Sequence, residues 1–139
     1  MSKSSRVTGI GGVFFRVADT NAMKSWYEEH LGIPQHPYGA IFASHPIGKP
    51  DKVAVTNWSF FKKDDSYFPP EQAVMVNFRV QNLELLLKEL SAAGVSIVAD
   101  METYEYGKFA WILDPEGNKI ELWEPVDNPF DLDGENVIT

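Results

Sequence analysis

The sequence predicts an α+β domain in which two similar βα units are each followed by antiparallel strands, with the helices covering one face of the sheet. Three observations carry this. The chain repeats a plan, since GGVFFRVADTNAMKSWYEEHLGI (11–33) and AVMVNFRVQNLELLLKELSAAGV (73–95) each give a β-rich run, a polar break, a helical pattern and a glycine. Phe-Arg-Val stands in both copies, as Phe15-Arg16-Val17 and Phe78-Arg79-Val80, with Asp19 and Asn82 two residues beyond, which points to an internal duplication. After each helical pattern the chain returns to β-type runs separated by Gly, Pro and Asn.

The elements follow in order. Met23, Trp26, Tyr27, His30 and Leu31 fall on one face of the first helix, and Leu83, Leu86, Leu87 and Leu90 on one face of the second. Asp19 or Thr20, and Asn82, supply N-caps, while Gly32 and Gly94 suit the left-handed position beyond the last turn. That face of the first helix is read as packing surface, Trp26 and His30 included. Strands are expected within Ala40–His45 and Lys52–Phe61, then at Ser96–Ala99, Lys108–Leu113 and Lys119–Glu124. DPEGN (114–118) joins the last two as a hairpin loop, with Gly117 and Asn118 tolerating left-handed geometry.

These boundaries give one domain over 1–139. Module one covers about 8–63 and module two about 73–125. Between them KKDDSYFPPEQ (62–72) reads as a linker over about 64–72, because its paired prolines cannot continue a central ladder. The arm 126–139 carries four acids and no Lys or Arg, and could cover an edge or a partner surface through Phe130 and Leu132.

Composition narrows the function. Without cysteine there is no disulfide, thiolate catalysis or Cys-ligated metal. A formal charge of −8, with no Lys/Arg stripe, argues against nucleic-acid and anionic-membrane partners. The polar start and the lack of a membrane-length apolar run give a soluble, cytoplasmic protein as the expectation.

The duplicated βαβββ plan resembles the vicinal oxygen chelate superfamily, which includes glyoxalase I, extradiol dioxygenases, methylmalonyl-CoA epimerase and the fosfomycin- and bleomycin-resistance proteins. VFFRVADTNAMKSWYEEHLGI (13–33) and GKFAWILDPEGNKIELWEP (107–125) carry the likeness most sharply, and it spans roughly residues 10–125. The resemblance implies a curved, mostly antiparallel sheet around a cleft, and often a homodimer. In metal-dependent members it implies ligands on the first and last strands of each half. Here those places hold Gly12, Met75 or a neighbour, the stretch NWSFFKK (57–63), and Glu121. Only Glu121 is a ligand type, so no resident metal or other cofactor is expected, although a divalent ion in an atypical site stays open.

Alternation places Lys119, Glu121 and Trp123 on one face of the last strand, and Trp58 and Phe60 share a face in the first half. The strand 108–113 leaves two registers open, one of them presenting Trp111. The expected ligand-binding residues are Glu121, Trp123, Trp111, Trp58, Phe60, Tyr106 from a loop at the cleft mouth, and Arg79, with Glu121 also the candidate catalytic base. Three readings stand: metal-independent binding of a small aromatic or cationic molecule, a glyoxalase-, isomerase- or dioxygenase-type enzyme built on Glu121, and a homodimeric structural or regulatory module.

Overall fold

In the computed structural model, which describes residues 6–37, 39–126 and 138, the chain runs β1 (Val7–Val17), α1 (Thr20–Leu31), β2 (Ala40–Ser44), β3 (Ala54–Lys62), β4 (Val74–Val80), α2 (Leu83–Ala92), β5 (Glu102–Tyr104), β6 (Gly107–Leu113) and β7 (Lys119–Pro125). One curved seven-stranded sheet takes the order β2-β3-β1-β4-β7-β6-β5. The two copies of the repeat meet at their first strands, β1 antiparallel to β4. Each first strand is flanked on its other side by the last strand of its own half, in parallel: β3 beside β1, β7 beside β4. The remaining pairs are antiparallel, so the sheet is mostly so. The second half completes the βαβββ plan, whereas the first places two strands after its helix.

Both helices begin where a side-chain oxygen takes an orphan backbone N–H. Asp19 accepts from Ala22 N at 2.9 Å, and Asn82, at φ 47°, accepts from Leu85 N at 3.4 Å. The first ends at Gly32, whose φ of 67° a side chain would resist.

The helices are unequally buried. Leu83 and Leu86 of α2 pack with Val80, Ala110 and Leu122 into a core that Phe78, Ile112 and Ile120 extend. At about 1.5–3 kcal/mol for each fully buried aliphatic side chain, this face is the main cohesive contact of the second half. In α1 no residue is buried. Tyr27 reaches the sheet, against Phe60 at 5.3 Å and Trp58 at 5.9 Å, while Trp26 is 50% exposed and Leu31 57%. The packing role expected of Trp26 and His30 is therefore corrected: both lie exposed, and Trp26 rests on Tyr27 and His30 within its own helix.

The strand expected at Ser96–Ala99 is also shifted. Ile97 makes a single bridge to Ile112, and the regular strand forms later, at Glu102–Tyr104. Ile97 and Val98 sit at an exposed edge, where no second packed face holds a ladder in register. In the hairpin loop Gly117 alone takes positive φ; Asn118 instead bonds to the Asp114 carboxylate through its backbone and side chain, both at 2.9 Å.

At the opposite edge Ile138 lies beside β2. Its N–H donates to Ile41 O at 2.9 Å, and Ala43 N–H donates to Ile138 O at 2.6 Å. Ile138 thus adds a single parallel bridge at the outer edge of β2. Phe130 and Leu132 lie outside the described residues. Among the described residues no helix is long and apolar enough to cross a membrane.

Candidate ligand cleft

Strand register assembles the site. Across the sheet, Asn57 on β3, Gly12 on β1, Asn77 on β4, Glu121 on β7 and Trp111 on β6 form one row of paired residues. Ile120 and Leu122 turn toward α2, so Glu121, Lys119 and Trp123 face the other way. Ala110 also packs in the α2 core, which settles the open register of β6: Phe109 and Trp111 share the Glu121 face.

Glu121 is 3% exposed and its carboxylate is held by three neutral donors. Asn77 Nδ2 donates to Oε1 at 2.6 Å, and Trp111 Nε1 donates to Oε2 at 2.8 Å. The Tyr67 hydroxyl also donates to Oε2, in a short contact. Hydrogen bonds to a charged group contribute about 1.5–3 kcal/mol each, and together they offset the cost of keeping the carboxylate out of water. Burial, followed by the negative charge of Glu121, pushes the Tyr67 phenol well above its ordinary pKa, so Tyr67 stays a proton donor.

Tyr67 comes from the segment read as a linker, and Arg16 is what shapes that segment. Its guanidinium donates to the carbonyls of Lys63 at 2.8 Å, Asp65 at 2.7 Å and Phe68 at 2.6 Å, with longer bonds to Lys62, Pro69 and Gln72. Lys119 Nζ adds a bond to Tyr67 O at 2.6 Å, and the Gln72 side chain clamps the Lys119 backbone at both its N–H and its C=O. The 62–72 segment is thereby fixed against β1 and β7, with the Tyr67 hydroxyl held on Glu121.

Arg79, the duplicate of Arg16, does something else. It is 8% exposed, stacks over Trp123 at 5.2 Å and donates to Val55 O at 3.2 Å. To reach β3 it must cross β1, and GIGG (9–12) makes room. A Cβ on Gly11 would collide with Asn77 Oδ1 and stand 2.9 Å from Trp123 and 3.0 Å from Arg79; one on Gly12 would meet the Phe14 ring at 2.8 Å.

Above this row is a cavity of about 450 Å3 lined by Phe14, Asn57, Asn77, Tyr106, Phe109, Glu121 and Trp123. Phe109 stacks on Trp123 at 5.8 Å, and Tyr106 stands edge-on to Phe109. Trp123 Nε1 donates to Tyr106 O at 3.0 Å, tying the 105–106 turn to the wall.

Of the residues expected from the sequence, Glu121, Trp123 and Tyr106 line the cavity, Trp111 lies beside it bonded to Glu121, and Arg79 backs Trp123. Trp58 and Phe60 are placed elsewhere, on the helix-covered face against Phe15 and Tyr27, because Asn57, Ser59 and Phe61 take the cleft side of β3. Sequence reasoning missed Tyr67, Asn77, Asn57, Phe14 and Phe109. Asn77 carried a signal, as a polar residue amid VMVNFRV; Tyr67, in a polar segment, carried little.

At the places where the resemblance puts metal ligands, Gly12 offers no side chain and Met75 a buried thioether, which leaves Glu121 as the charged oxygen donor there. Among the described residues no three His, Cys, Asp or Glu side chains come together. The cleft is aromatic- and acid-lined and of a size suited to a small molecule.

Solved structures with the same fold include methylmalonyl-CoA epimerase from Mycobacterium tuberculosis, 22% identical with a TM-score of 0.62 over 91% of this chain and 93% of that one. A singly substituted methylmalonyl-CoA epimerase from Streptomyces coelicolor, in complex with 2-nitronate-propionyl-CoA, is 12% identical with a TM-score of 0.63 over 86% and 99%. A glyoxalase/bleomycin resistance protein/dioxygenase superfamily member from Vibrio splendidus 12B01 is 18% identical with a TM-score of 0.50 over 83% and 97%. At such identities these likenesses establish the fold alone. No curated protein matches the chain. The family profile matches residues 9–122, from the glycine-rich start of β1 to the residue after Glu121, and the chain belongs to the glyoxalase/bleomycin resistance protein/dioxygenase superfamily.

Proposed function

We propose that this protein binds a small aromatic or cationic organic molecule without a metal, in the cleft beside Glu121. The observation that carries the reading is the placement of Glu121, whose carboxylate is held by Asn77, Trp111 and Tyr67 within aromatic walls. Ring faces supply contact area and attract cations, and the carboxylate supplies the counter-charge. Glu121, Trp123, Tyr106, Phe14 and Phe109 form the contact surface in this proposal, with Arg79 and Trp111 holding it in shape. Trp58 and Phe60 are left out of it. The homodimer implied by the family resemblance is kept in the proposal, supported by the exposed Trp26 and Leu31 on α1; sedimentation at two concentrations tests it.

Binding is tested by titrating tryptophan fluorescence with benzyl cations after exhaustive chelation. Saturable quenching is expected, weakened at least about fivefold in Glu121→Gln through loss of the counter-charge. Absence of saturation, or binding that needs added metal, refutes the reading.

A second reading, proton transfer by Glu121, is favoured by its place in the cleft, where Tyr67 donates to it, and by fold likeness to epimerases. Oε2 already accepts two hydrogen bonds, so in this reading the substrate proton goes to the second lone pair of Oε1. Incubation with methylmalonyl-CoA in deuterated water distinguishes the two: deuterium gained at the α-carbon, and lost in Glu121→Gln, would establish catalysis.

A further inference from the structure

Asn77 is 2% exposed, and its Oδ1 has no hydrogen-bond partner among the described residues although the residue lines the cleft. Its orientation is not arbitrary. Nδ2 donates to Glu121 Oε1 at 2.6 Å, and a flipped amide would set Oδ1 against that carboxylate oxygen. Oδ1 is therefore held away from Glu121, over Gly11, in space that any side chain there would fill. A buried acceptor kept unpaired by a side-chain-free neighbour is aimed at something.

Glu121 has capacity left as well. A carboxylate offers about four lone-pair sites. Oε2 accepts from Tyr67 and Trp111, whereas Oε1 accepts from Asn77 alone. Two acceptors one amide apart, one of them a carboxylate oxygen, thus belong to residues that line the same cavity. Donors to match them are scarce on the protein side, because the Asn57 amide nitrogen is turned to Gly11 O at 3.4 Å.

We propose that Asn77 Oδ1 and Glu121 Oε1 form a specificity-determining acceptor pair that selects a ligand whose cationic head carries at least two N–H hydrogens, such as an amidinium, guanidinium or primary ammonium group on an aromatic body. The inference rests on the binding reading above and deepens it. Ring walls and negative charge alone accept any aromatic cation; the acceptor pair discriminates by hydrogen count. A quaternary ammonium of the same shape leaves both acceptors unsatisfied and is selected against.

The test titrates the full chain by calorimetry with benzamidinium, benzyldimethylammonium and benzyltrimethylammonium, which differ in donor hydrogens at equal charge. Benzamidinium is expected to bind at least about tenfold more tightly than the trimethyl compound, the worth of one charge-assisted hydrogen bond, with the dimethyl compound between. In Asn77→Leu the ratio is expected to fall to within about twofold. The series in the unaltered protein keeps the inference falsifiable should that variant fail to fold. Equal affinities for the three cations overturn the acceptor pair and leave the binding reading standing. Failure of all three to bind overturns both.

Discussion

The hydroxyl of Tyr67, from the junction between the two modules, donates to Oε2 of Glu121 in the middle of the last strand. Tyr67→Phe keeps the ring contacts with Phe61 and Trp111 and removes that one donor from a buried carboxylate. The expected cost is about 1–3 kcal/mol, read from urea unfolding. Because the pKa of Tyr67 is raised by folding, its contribution is fully present below the ordinary tyrosine value and is lost as pH rises toward the folded one. Compared with Tyr67→Phe, the native protein should show one tyrosine whose 295 nm absorbance change appears only together with alkaline unfolding.

Arg16 and Tyr67 do not touch through their side chains in the bonds described, yet the first holds the segment that carries the second. Arg16→Met should leave the carbonyls of Lys63, Asp65 and Phe68 without their shared donor. A loss of about 2–4 kcal/mol is expected, larger than for Tyr67→Phe, and the double variant should cost clearly less than the sum.

Two adjacent glycines should respond differently to the same methyl group. Gly11→Ala drives a Cβ into Asn77 Oδ1 and toward Trp123 and Arg79, all fixed by packing or hydrogen bonds, at about 1–3 kcal/mol. Gly12→Ala meets only the tip of the Phe14 ring, which can swing into the cavity. Thermal unfolding of the pair should show the larger fall for Gly11→Ala.

The hairpin loop carries a pH dependence of its own. The Asp114 carboxyl is held below its ordinary value, chiefly by the Asn118 side-chain amide and then by backbone N–H groups. A depressed value in the fold means the contribution is present above the unfolded pKa and is lost as pH falls through the folded one. The Asn118 amide proton shift should therefore titrate with a midpoint below the ordinary aspartate value of 3.8, and Asp114→Ala should abolish that titration.

At the other end of the sheet, removal of residues 138–139 should leave Ala43 N–H and Ile41 C=O without their partner. Amide exchange at Ala43 is expected to accelerate, and an uncovered strand edge should promote concentration-dependent self-association, visible by light scattering.

Sequence and structure part company at places with a physical reason. Both helices, their caps and the last hairpin were legible, because spacing, capping chemistry and turn residues are local. The faces of β6 and β7 were legible as alternation, but β6 needed Ala110 in the α2 core to choose its register. Trp58 and Phe60 were assigned the wrong face, since an aromatic pair at i and i+2 tells which residues share a side without telling which side is the cleft. Glu121 and Trp111 were singled out from alternation and the resemblance; the donors Tyr67 and Asn77 were not, because they are joined to Glu121 across separations of 54 and 44 residues. Trp26 misled in the ordinary way, as a large apolar residue on the inward stripe of a helix that touches the sheet mainly through its neighbour Tyr27.

The central position of β1 bears on how the protein is made. Its neighbours are β3, which ends at Lys62, and β4, which starts only at Val74, while the β2 edge receives Ile138, 94 residues beyond the end of β2 itself. Translation delivers about 5–20 residues per second, so the first half emerges with one side of its earliest strand bare and its outer edge unextended for seconds. A nascent chain stalled after residue 62 would expose both, with its earliest pair of strands in the form that chaperones gripping extended segments recognise.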